Sequence, residues 1–187
     1  MCIRDRVNLF KKVKKRTFRS INIPKFDKSI DDRCKKNSWF KLKKKPDILI
    51  LEGWCVGARA EGSRSLNRPI NVLEKNADKK KIWRSYVNNQ LKSKYSKLFD
   101  QLDSLLYLKA KNFKLLKRWR LKQEKKLKMK SGTKKNSKIM NEREVETFMM
   151  TYQRITQNMF KNAPKYSSAV IDLNENHQIK KVKFKHA

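Results

Sequence analysis

Histidine, glycine, cysteine and acidic charge are all scarce in these 187 residues: 2 His, 4 Gly, 3 Cys and 17 Asp+Glu. With only His177 and His186 available, a histidine-based metal site or a Ser-His-Asp triad is all but excluded. Cys2, Cys34 and Cys55 form no C-x-x-C and no even-numbered framework. That argues against a disulfide scaffold or zinc ribbon and for a reducing, cytoplasmic setting. Gly57 and Gly62 stand five apart in "GARAEGSRS", but Ser63 occupies the place of the required lysine, so the G-x-x-x-x-G-K-[ST] pattern is absent. No apolar run approaches the roughly 20 residues of a membrane span. "MCIRDRVNLF" has no apolar core of a signal peptide. Residues 1–6 sit poorly with the basic segment that begins at Val7 and read as a non-native leader.

What is abundant is basic charge. The 50 Lys+Arg give a formal charge of +33. Such an excess suits nucleic acid or an anionic membrane surface. It equally suits a lysine-rich composition spread over solvated faces, and the even spread along the chain favours that reading. Trp83, Tyr95 and Trp119 lie among the cations, so a basic nucleic-acid-binding protein stands as the alternative. No RNP-type, KH or helix-turn-helix signature supports it. With 38% apolar residues, including 9 Phe, 5 Tyr and 4 Trp, the chain has enough for one folded domain over 7–187.

Periodicity predicts helices over Val7–Phe18, Pro69–Lys75 and Lys79–Lys97. A further helix runs from an Asn112 cap to about Leu127. Another opens on the Asn141/Glu144 capping box and runs to about Phe160, with Val145, Phe148, Met149, Tyr152, Ile155 and Met159 as its apolar stripe. Strands are expected at Arg19–Ile23, Asp47–Leu51 and Ser104–Ala110. A final pair, Ser168–Leu173 and Ile179–Phe184, turns at "NENH". The four large aliphatics of "DILIL" suggest burial on both faces. The alternation of strands and helices predicts an α/β layer fold with a mostly parallel sheet.

Ligands in such folds bind where parallel strands end. Glu52 falls at the end of "DILIL", where a carboxylate backed by Gly53 can hold a hydrated Mg²⁺ on a nucleotide. It can equally serve as an ordinary loop or capping residue, and Trp54 as packing for that loop.

Five segments in order resemble the C-terminal portion of the D-glycerate 3-kinase-type P-loop kinases, relatives of uridine kinase, phosphoribulokinase and pantothenate kinase. They are "IPKFDKSIDDR" (Ile23–Arg33), "PDILILEGWCVG" (Pro46–Gly57), "NVLEKNADKKKIWRSYVNNQL" (Asn71–Leu91), "LKRWRLKQEKKL" (Leu116–Leu127) and "VETFMMTYQRIT" (Val145–Thr156). The resemblance implies a three-layer P-loop NTPase-like fold, incomplete at the N-terminus, with a lid region at about 112–140. It implies ATP and Mg²⁺ as cofactors and a small acid resembling glycerate as substrate, which makes a nucleic-acid partner the lesser expectation; the lack of a long apolar run argues against a membrane.

It also assigns residues. Glu52 matches the Mg²⁺-associated carboxylate after the Walker B-like strand. Asp27, Lys28 and Arg33 match a substrate-side loop. Arg118 and Arg120 match lid arginines that stabilise charge on the transferring phosphoryl group. Arg154 and Thr156 match a Y-x-R-x-T segment to which no role attaches. For each there is a plainer alternative: Arg118 and Arg120 as solvated helix cations, Lys28 and Arg33 as two cations among fifty, Asp27 as a turn cap with Ser29. The pattern departs where it matters most, because neither the phosphate loop nor the acidic "DDFY"-like segment of such kinases precedes Lys25. The chain therefore reads as an N-terminally truncated form of an ATP-dependent kinase, with little activity alone.

Overall fold

The computed structural model describes residues 3–27, 32–131 and 139–185. In chain order the elements are α1 (Ile3–Val13), β1 (Ile21–Ile23), β2 (Phe26–Asp27), β3 (Asp32–Arg33) and β4 (Phe40–Leu42). Next come α2 (Val72–Ala77), α3 (Ile82–Gln90), a π-helical turn at Leu91–Tyr95, α4 (Ser96–Phe99) and β5 (Leu106–Lys109). The chain closes with α5 (Phe113–Ser131), α6 (Glu142–Tyr166), β6 (Ala169–Leu173) and β7 (Ile179–Phe184). Residues gather into two compact units: Met1–Val56 with Gln90–Asp103, and Gly57–Asn89 with Ser104–Ala187.

In the first unit β1 pairs antiparallel with β4, and β2 with β3. Leu9 and Val13 stand four apart on α1, so both fall on one helical face. There they form a core with Ile21, flanked by Phe18, Ile23 and Leu42. Residues 3–6 make the first turn of α1.

"DILIL" departs from its expected buried strand. Among the described residues it joins no sheet, and Ile48 and Ile50 are 79% and 83% exposed. An extended run becomes a strand only when a neighbour takes its backbone N–H and C=O groups, and apolar side chains cannot replace that ladder.

The second unit carries a three-stranded sheet of order β5-β6-β7. β5 and β6 are parallel, with Leu106 opposite Ala169, while β6 and β7 form an antiparallel hairpin. The architecture is mixed α/β. The β5–β6 pair is the parallel part of it among the described residues, and the remaining pairings are antiparallel. The parallel pair needs a long crossover, which α5 and α6 provide. They pack against each other, and α6 also packs against β5. The capping box at Asn141 is complete in both directions, Glu144 N–H to Asn141 Oδ1 at 2.9 Å and Asn141 N–H to Glu144 Oε2 at 2.7 Å. α6 extends past Phe160 to Tyr166 with Pro164 in its last turn. Ser167 comes next, donating both N–H and Oγ–H to the Ala163 carbonyl. Val145, Met159 and Ala163 are buried along this helix.

Candidate functional site

In the second unit a long segment, 57–71, has only a 3₁₀ turn at Ser63–Asn67 of its own. Side chains from α3 and α6 hold it instead. Asn88 of α3 brackets Glu61, its Oδ1 accepting from the Glu61 N–H at 2.8 Å and its Nδ2 donating to the Glu61 carbonyl at 3.1 Å. Arg84, 6% exposed, donates Nε to the Leu66 carbonyl at 2.7 Å and Nη1 to the Asp78 carbonyl and carboxylate. Asn158 of α6 reaches the Arg59 carbonyl, and Arg59 stacks over the Tyr166 ring at 4.0 Å. Gly57 opens the segment at φ 79°, where a Cβ would come within 2.6 Å of Leu105 Cδ2. A side chain there is disfavoured twice, by conformation and by space.

Arg154 is the centre of this arrangement. Nε and Nη2 form a fork on Glu74 at 2.8 and 2.6 Å, Nη1 reaches Glu61 at 3.2 Å, and the remaining donors meet the carbonyls of Ser65 and Arg68. All five guanidinium N–H groups are thereby used. Burial raises the Glu74 carboxyl pKa, but the Arg154 hydrogen bonds, the Ile70 N–H and the charges of Arg154 and Arg84 outweigh it and leave the group below its ordinary value. Asp78 behaves alike. Burial pushes it up, while the Trp83 and Arg84 amides and the Arg84 guanidinium pull it further down. The Y-x-R-x-T segment marks Arg154 but gives it no role, because its carboxylate partners lie 80 and 93 residues away.

On α5, successive residues serve different neighbours. Arg118 pairs with Glu175 at 3.0 Å, both side chains more than half exposed. Arg120 turns the other way, pairing with the buried Glu124 at 2.5 Å and lying 5.1 Å from the Phe148 ring centroid. Glu124 in turn accepts from the Met140 N–H at 3.0 Å, and Lys117 pairs with Glu146. These bonds fasten α5 to α6 and the residues just before it. Arg118 faces solvent; Arg120 is committed to structure.

In the first unit Arg33 forms an ion pair with Asp5 at 2.6 Å, and Asp27 lies opposite Asp32 in the β2–β3 pair. Lys28 lies outside the described residues, as does 132–138 of the expected lid. Glu52 is exposed, two residues before the turn that opens on Trp54. The described residues hold no group of three or more Cys, His, Asp or Glu side chains that could cage a metal. A single exposed carboxylate still fits Mg²⁺, which keeps most of its waters and commonly binds through one or two carboxylates plus substrate phosphates. No described helix is long and apolar enough to cross a membrane.

No family model matches the chain. Over 138 residues, 71% of its length, it is 33% identical to the uncharacterized kinase mug58 of Schizosaccharomyces pombe. The match spans 47% of that protein, about half of it. The fold is similar to D-glycerate 3-kinase from Cryptococcus neoformans var. grubii, with a TM-score of 0.71 at 20% identity, over 98% of this chain and 65% of that one. It is also similar to the YGR205w protein, with a TM-score of 0.69 at 24% identity, over 97% of this chain and 63% of that one. The resemblance carried by the five segments thus holds in three dimensions, and in fold this chain is of the D-glycerate 3-kinase type.

Proposed function

We propose that this chain is part of an ATP-dependent kinase that transfers a phosphoryl group to a hydroxyl of a small acid, D-glycerate. The observation that carries the reading is the 33% identity over 138 residues to a protein named as a kinase, on a fold shared with D-glycerate 3-kinase. Catalysis of this kind is positioning plus charge neutralisation. Arg118 is the lid cation free enough to turn toward a transferring phosphoryl group. Arg120 supports it by fixing α5 through Glu124 and Phe148. Asp27, Lys28 and Arg33 form the substrate side, with Arg33 meeting the substrate carboxylate. Glu52 would hold a hydrated Mg²⁺, whose charge would offset that of the substrate phosphates.

The loop that cradles the ATP phosphates is not among these 187 residues, so the chain by itself is expected to have little activity. The test uses the complete reading frame. Sequence upstream of Met1 is expected to encode G-x-x-x-x-G-K-[ST] about 60–100 residues before Glu52, from the length of the βαβ units of such folds. The complete protein is expected to phosphorylate D-glycerate and to lose that activity in Glu52→Gln. An open frame without the loop, or a complete protein inert toward D-glycerate, overturns the assignment.

A further inference from the structure

The hairpin turn between β6 and β7 is built to hold one face of α5. Asn174 Oδ1 accepts from the N–H groups of Asn176 and Gln178, both at 2.9 Å, and its Nδ2 donates to Gln178 Oε1 at 3.0 Å. So tied, the turn places three groups against successive residues of α5. The Glu175 carboxylate meets Arg118 at 3.0 Å. The Glu175 carbonyl accepts from Trp119 Nε1 at 2.9 Å. The His177 ring stacks on Trp119 with centroids 4.0 Å apart and planes 28° from parallel. His177 does this from a left-handed backbone, φ 64°, a region where glycine is the unstrained choice. The strain is offset by the ring contact, which glycine could not make.

These contacts differ in strength. The ring stack and the indole hydrogen bond are two short-range contacts on Trp119. The Arg118–Glu175 pair is solvated on both sides, and such pairs are weak. Arg118 is therefore held in place without being held tightly. We propose that this turn is a positioning latch: Glu175 serves as an internal anion for Arg118, and a polyphosphate ligand engages Arg118 by displacing that carboxylate while the Trp119–His177 stack stays closed. The inference rests on the reading of Arg118 as a phosphoryl-facing cation, and it makes Glu175 and His177 positioning residues of that site.

The test is a titration of the isotopically labelled chain with inorganic tripolyphosphate at physiological salt, following the Arg118 side-chain N–H signal by NMR. Three proteins are compared: the unmodified chain, Glu175→Gln, and Glu142→Gln, which makes the same charge change at an exposed residue of α6. Glu175→Gln is expected to tighten the apparent Kd read at Arg118 about three-fold, the range of an exposed pair. Glu142→Gln is expected to leave it nearly unchanged, and the Trp119 indole signal should stay in place throughout. Equal affinity in all three proteins, or equal tightening in both variants, removes the latch but leaves Arg118 as a phosphate ligand. An Arg118 signal that ignores tripolyphosphate in every protein overturns both the latch and the catalytic assignment of Arg118.

Discussion

Arg154 and Glu74 form a two-point fork, 2.8 and 2.6 Å, in a site where their side chains are only 10% and 12% exposed. The pair joins α6 to α2, and the same guanidinium gathers carbonyls of the loop before α2. Removing one partner of a nearly buried pair leaves the other charged and desolvated. Arg154→Ala is expected to destabilise the protein by about 3 kcal/mol, read by urea denaturation. Arg154→Lys should recover only part of that, since an ammonium cannot reproduce the fork.

Stability should fall on the acid side. Glu74 and Asp78 both have folded pKa values below their ordinary carboxylate values. Their contribution is fully present above those ordinary values and is lost as pH falls through the depressed ones. Thermal melts between pH 7 and pH 3 should therefore show declining stability at the acid end. The decline should be shallower in an Asp78→Asn variant that starts from a lower plateau. A pH profile of the variant identical in shape to that of the unmodified chain would refute the assignment.

The α6 capping box contributes on its own account. Asn141→Ala removes the acceptor for the Glu144 N–H and is expected to cost about 1 kcal/mol. Glu144→Ala leaves the Asn141 side-chain bond intact and should cost less. Chemical denaturation of the two single variants separates these contributions.

Leu98 on α4 is 1% exposed. Leu98→Ala opens a cavity where neighbours relax only partly, and is expected to cost about 2–5 kcal/mol. By contrast Leu108→Ala, at 61% exposure, should change the melting temperature little. Equal losses in the two would place the core elsewhere.

The charge of +33 should make the chain bind RNA at low salt. If that charge is background, fluorescence anisotropy will show affinity falling steeply with salt and no preference between sequences. Nanomolar, sequence-selective binding at physiological salt would instead support a nucleic-acid-binding function.

Local chemistry was enough to find most elements. The Asn141–Glu144 box, the Asn112 cap and the Asn174 turn each bond within a few residues, so the sequence carries both partners of every interaction; the Asn71 cap was missed, the expected helix at Pro69–Lys75 starting at Val72 instead. Spacing likewise placed Val145 and Met159 on the buried face of α6. The expectation failed for "DILIL", because a strand is a property of two segments and the run specifies only one. Among candidate site residues, the sequence marked Arg118 and Arg120 as similar; only folding distinguished them, by setting Phe148 beside one and Glu175 beside the other.

By itself, then, the sequence determined that the helices exist, the Asn112 and Asn141 caps, the final hairpin and the kinase-type resemblance, all of which depend on short-range pattern or ordered motifs; it misplaced the ends of α1 and α2. Tertiary structure alone decided the role of Arg154. Its five hydrogen bonds reach residues 80 to 93 positions away, a distance over which no local periodicity carries information.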